Sequence, residues 1–161
     1  MALLGKARTA TGIGVITTVI LVLVFGNQAY TEWVTRHTTS TDVWGWFLQM
    51  LAWPAWAFSP RDRGNAPMQD LLAQDLRALL LVLFVALVLG VAAKAATGAG
   101  GFVLGWAALI FGSALAAFLT AFLASSSTVL GAFLAASAAS AYGLFVGWIV
   151  GAAVASAKGG D

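Results

Sequence analysis

The chain has 161 residues, of which 61% are hydrophobic and only 9% charged, with a mean hydropathy of +0.93. A soluble domain carries roughly one quarter charged residues, so the composition reads as a single all-α integral membrane domain over 1–161. The eight basic and six acidic side chains are scattered singly, which leaves no Lys/Arg patch for a nucleic-acid partner; the absence of cysteine removes disulfides, thiolate nucleophiles and cysteine metal ligands.

Lys6 and Arg8 precede an apolar run at 13–26. Such a run is a first span or the core of a signal peptide. Cleavage after Ala29 would put Asn27 at the minus-three position, where a small residue is needed. The reading is therefore an uncleaved first transmembrane helix over about 10–29.

The loop over 30–76 contains VWGWFLQMLAWPAWAF, residues 43–58, with four of the chain's seven tryptophans and no charge. Sixteen residues fall short of the roughly 20 that cross a bilayer, and Pro54 interrupts a helix by removing a donor and clashing with the preceding turn. Tryptophan rings concentrate at headgroup level, and Trp46, Met50 and Trp53 fall at i, i+4 and i+7, a helical stripe. The expectation is an interfacial or re-entrant helix over 43–58 on the non-cytoplasmic side, broken near Pro54. A fifth crossing is the alternative, slightly favoured by charge count and disfavoured by length. Trp33, Trp44, Trp46, Trp53 and Trp56 are the candidate membrane-interface residues. They could form a platform for a lipid, quinone, pigment or partner helix, although anchoring alone accounts for them.

Asn65 is placed to cap the next helix, Pro67 suits a first turn, and Asp70 complements a helix N-terminus. MQDLLAQDLRALL then carries the helical period from water into a second span over about 77–96, with Lys94 as a boundary marker whose stem reaches the headgroups. A TGAGG turn leads to a third span over 101–124. Ser125, Ser126, Ser127 and Thr128 turn and cap the fourth, over 129–155. Four spans divide the basic residues equally between the two sides, and Lys6 and Arg8 beside the first helix decide for both termini inside.

The last span carries Gly131, Ala135, Ala139, Gly143, Gly147, Gly151 and Ala155, small residues at every fourth position. Ridges of this kind let helix backbones approach closely, so packing supplies the association that the hydrophobic effect cannot supply in lipid. Each step advances about 40° around the axis, so the ridge is expected to wind across one or two neighbours. Ala108, Gly112, Ala116, Thr120 and Ala124 of the third span offer a matching ridge, and Ala10, Gly14 and Thr18 a shorter one on the first. Packing within the bundle and docking onto a larger complex both fit.

Catalytic chemistry is sparse. No charged residue lies between 95 and 157, whereas ion and proton pathways place ionisable groups at membrane depth. Ser113, Thr120, Ser137, Ser140 and Tyr142 could line a narrow polar path, but such hydroxyls more often bond their own helix. His37 is the only histidine, too few for a bis-imidazole haem or an HExxH zinc site; a solvated loop histidine fits better than an acid/base pair with Glu32. Asp62, Asp70 and Asp75 lack the spacing of an EF-hand loop. The sequence resembles small bacterial four-helix membrane proteins in outline only, and that outline carries no function.

The expectation is a non-enzymatic, multi-pass protein of the cell membrane, without metal or cofactor, acting as an accessory or scaffolding subunit. Its partners would be the lipid bilayer and other integral membrane subunits, or a second copy of itself. A homo-oligomeric pore or small transporter is the alternative, and lipid or quinone binding at the tryptophan-rich loop a weaker one.

Overall fold

Polar side chains open four of the helices by accepting from a backbone N–H that the first turn leaves unpaired. Thr9 Oγ1 accepts from Gly12 at 3.1 Å to start α1, Ala10–Phe25. Asn27 Oδ1 accepts from Tyr30 at 2.8 Å to start α2, Gln28–His37. Asp42 accepts from Gly45 at 3.3 Å to start α3, Val43–Leu51. After α4, Asn65–Ala92, and α5, Ala99–Ala121, Thr128 Oγ1 accepts from Gly131 at 2.9 Å to start α6, Val129–Ser156. The structure, a computed structural model, describes residues 9–57, 65–92, 98–123 and 128–157, with the backbone alone for 65–67. All regular structure among the described residues is helical.

Three helices are long and apolar enough to cross a membrane: α4 over Met68–Ala92, α5 and α6. The chain is a membrane protein on this ground. The expected first helix over 10–29 instead breaks at Gly26, and α2 leaves α1 at a bend of 57°. Asn27 makes the break. Its side-chain amide donates to the carbonyls of Leu23 and Val24 while its oxygen caps the next helix, so one residue closes α1 and opens α2. The 16 residues of α1 rise only about 24 Å at 1.5 Å per residue.

The helix expected over 43–58 also ends early. It stops at Leu51, and residues 52–54 form a turn that carries Pro54. The polar stretch ahead of the second span is continuous with it, since α4 is one helix from Asn65 to Ala92. Several sequence expectations lie outside the described residues: the side-chain roles of Asn65 and Pro67, the turn at 125–127, the small residue Ala124, and the charges of Lys6, Arg8, Arg61, Asp62, Arg63, Lys94 and Lys158.

The centre of the fold is the antiparallel pair α5 and α6. A Cβ on Gly143 would land on the backbone of Ile110, one on Gly147 would come within 2.6 Å of Trp106 Cδ1, and one on Gly151 would come within 2.6 Å of the Phe102 carbonyl. Those contacts descend four residues at a time on both helices, so three consecutive steps of the ridge meet one neighbour. Ala139 continues the series, its carbonyl accepting from Ser113 Oγ at 2.9 Å. Gly131, Ala135 and Ala155 at the two ends are only half-buried.

At Gly112 the neighbour differs from the one expected. Phe102, Gly105, Trp106 and Ile110 face α6, and Gly105 approaches so closely that an added Cβ would lie 2.9 Å from Gly151 Cα. Gly112, in the ridge with Ala108, Ala116 and Thr120, turns toward α4, where a Cβ would meet Val85 Cγ2 at 3.0 Å. Gly105 and Gly112, seven residues apart, lie within about 20° of one another around the helix and about 10 Å apart along it, so one edge of α5 meets α6 at the first and α4 at the second. The shorter ridge of α1 wedges between α4 and α6, because a Cβ on Gly14 would meet Leu89 and, at 2.8 Å, Val154 Cγ2.

Candidate functional site

Tryptophan is large, amphipathic and a single N–H donor, so each indole either finds an acceptor on burial or keeps its edge exposed. The five candidate tryptophans divide on this basis. Trp46, Trp53 and Trp56 are half-buried against the helices; Trp33 is 49% exposed and Trp44 72% exposed.

Trp53 is the fastening point. Its ring stacks on Tyr142, with centroids 5.0 Å apart and planes at 27°. The Arg77 guanidinium carbon lies 5.6 Å from its centroid, a cation–π distance. Arg77 Nε also donates to Thr120 Oγ1 at 3.3 Å. One loop residue thereby joins α4 and α6, with α5 reached through Thr120. Trp46 meets Phe145 edge-to-face at 4.8 Å. Tyr142 and Phe145 stand near the middle of the 28-residue α6, so the tryptophan segment docks at mid-height on that helix, beyond the point where the short α1 has ended.

Trp56 ties the segment to α1. Its indole donates to the Val22 carbonyl at 3.0 Å, and its backbone N–H to the Gly26 carbonyl at 2.8 Å. Gly26 itself lies against the Pro54 carbonyl with no room for a side chain. Tyr30 adds a bond from its hydroxyl to the Leu48 carbonyl at 3.2 Å, and Gln49 donates to Thr38.

Below Trp56, α1 and α4 diverge and leave a groove of about 600 Å³. Val19, Val22 and Leu23 line one side and Leu79, Val82 and Ala86 the other, with Trp56 and Asp75 at one end. Asp75 Oδ1 accepts the Ala57 backbone N–H at 3.1 Å. Among the described residues this carboxylate has no salt bridge, the neighbouring Arg77 being turned to Trp53 and Thr120. Concavities of 300–1,000 Å³ with apolar walls and few polar groups are the usual form of a small-molecule site.

The sequence pattern singles out the tryptophans but does not group Asp75, Arg77 and Tyr142 with them. A signal for Arg77 was present. It stands four residues before Leu81, which with Val85 and Leu89 is fully buried, so it occupies the inward face of α4. Asp75 begins a different line, continued by Leu79, Val82 and Ala86.

The remaining polar candidates bond locally. His37 stacks on Trp33 at 5.3 Å, and its Nδ1 donates to the Trp33 carbonyl at 2.9 Å. Glu32 accepts from Gln28 at 2.9 Å and pairs with Arg36 at 3.3 Å. Ser137 and Ser140 donate to carbonyls one turn back at 2.9 Å, and the buried Thr18 bonds Gly14. Among the described residues no three His, Asp or Glu side chains gather where a metal could bind. Comparison with protein-family models, characterised proteins and solved structures brings out no match to this chain.

Proposed function

We propose that this chain is a non-enzymatic accessory or scaffolding subunit of a larger assembly in a bacterial plasma membrane. It crosses four times with both termini cytoplasmic, the first crossing being α1 continued by the bent α2. The observation that carries the reading is the division of the tryptophans. Three are spent holding the segment over 43–57 to the helices, while Trp33 and Trp44, with Val43 at 79% exposure beside Trp44, remain open. Exposed aromatics on a fixed support are the residue type that dominates binding at protein interfaces.

The small-residue ridge plays a different part in this reading. Its central glycines meet α5, so they build the scaffold, and partner contact falls to the tryptophan-bearing cap and the outer helix faces. Extraction from the organism's own membranes in mild detergent tests this. A stoichiometric partner should co-purify with the wild type and be lost from a Trp33→Ala, Trp44→Ala variant of unchanged helix content. A monodisperse monomer overturns the proposal, and a multiple of the 16.6 kDa chain replaces it with self-association.

A further inference from the structure

The groove between α1 and α4 is apolar along its length and carries one charged group, at one end. Asp75 and Arg77 are the last charged side chains of α4 before an unbroken apolar stretch that continues to its end at Ala92, so Asp75 lies where hydrocarbon gives way to headgroups. From Asp75 to Ala86 the helix rises about 17 Å at 1.5 Å per residue. The walls, Val19, Val22 and Leu23 against Leu79, Val82 and Ala86, offer no hydrogen-bonding side chain. A flexible hydrocarbon chain fits that surface.

The polar end has a sign. Asp75 gives one oxygen to the Ala57 N–H, and its second oxygen accepts no hydrogen bond among the described residues. A carboxylate left without a cation at a membrane boundary is costly, and such groups take a counter-charge. Arg77 does not supply it, since its guanidinium is stacked on Trp53 and bonded to Thr120. An ammonium group with its own N–H donors would, through a short charge-assisted hydrogen bond. We infer that the α1–α4 groove is a binding site for an aminophospholipid, with one acyl chain laid between Val22 and Val82 and the primary ammonium of its ethanolamine headgroup on Asp75.

The test uses the full chain reconstituted into vesicles of equimolar phosphatidylethanolamine and phosphatidylglycerol, then extracted gently and weighed intact by native mass spectrometry. One phosphatidylethanolamine per chain is expected, over phosphatidylglycerol by about ten-fold or more, the ratio set by one charge-assisted hydrogen bond. In vesicles of phosphatidylcholine and phosphatidylglycerol the wild-type protein should lose that preference, because the choline head has no N–H to donate. Asp75→Asn should lower phosphatidylethanolamine retention by a similar factor, and Ala86→Phe, which fills the groove, should abolish retention of either lipid. Equal retention of all three headgroups by the wild type overturns the proposal without recourse to any variant. So does undiminished retention by Ala86→Phe of wild-type helix content, or a bound peptide mass in place of lipid.

Discussion

The α5–α6 seam and the α1–α4 seam are both antiparallel contacts between apolar helices, and both begin from a small-residue ridge. On α6 the ridge continues through Gly143, Gly147 and Gly151, and the backbones of α5 approach closely enough that any Cβ would collide. On α1 it ends after Gly14 and Thr18. The next positions facing α4 are Val19, Val22 and Leu23, which meet Leu79, Val82 and Leu83 across an open groove. In lipid no hydrophobic force pulls branched side chains together, so the contact area that backbones can reach decides whether a seam closes. The difference lies in how many turns keep their small residue. The segment over 43–57 then does for α1 what glycine does for α6, by hydrogen bonds and ring contacts instead of backbone approach.

The largest break in this comparison should come from Gly143→Ala. The new methyl falls on the Ile110 backbone, which cannot swing aside as a side chain can. Overpacking of this kind costs about 3 kcal/mol, and a denaturant titration followed by helix content in mixed micelles should show it. A shift of less than about 1 kcal/mol on that scale would mean the seam is looser than described. Trp53→Ala comes next. It removes the stack on Tyr142 and the Arg77 contact, together worth about 2 kcal/mol. The loss should be smaller in Trp53→Phe, which keeps a ring for Tyr142.

How far the sequence discloses this arrangement depends on the type of force involved. The helices long and apolar enough to cross are legible because length and hydropathy answer directly to bilayer thickness, and α5 and α6 lie close to where 101–124 and 129–155 predict them. Caps are legible too, as Thr128 illustrates. The break at Asn27 is not, because the apolar pattern continues through Gly26 and only the doubled role of one amide ends the helix. Which part of α5 meets α6 is also hidden: Gly105 and Gly112 are alike in sequence and share nearly one face, yet they meet different helices at two heights along α5. Among the tryptophans, composition marks all five as interface residues, while the acceptor that orients Trp56 is a backbone carbonyl on α1, which no side-chain pattern can reveal.

Trp56→Phe sharpens the comparison from the other seam. It keeps the ring and deletes the bond to the Val22 carbonyl, at a cost of about 1 kcal/mol or somewhat less in lipid. The expected effect is local. A cysteine at position 19 should label faster in Trp56→Phe than in the parent, while one at position 113, replacing the buried Ser113 of the α5–α6 seam with a side chain of similar shape, should stay as protected as before. Equal labelling of both would show that the two seams open together.

Gly90→Ala carries the smallest change and the opposite sign. Gly90 sits on α4, one residue beyond the fully buried Leu89, and an added Cβ would meet nothing within 4 Å. Only backbone freedom is then at stake. Glycine within a helix is less stable than alanine by roughly 0.5–1 kcal/mol, so Gly90→Ala should stabilise α4 by about 0.5 kcal/mol, read in the same titration as Gly143→Ala. The same substitution, at two glycines on two membrane helices, should thus move stability in opposite directions. If both destabilise, the cost belongs to glycine replacement in these helices generally, and the closed α5–α6 seam loses its explanation in backbone contact.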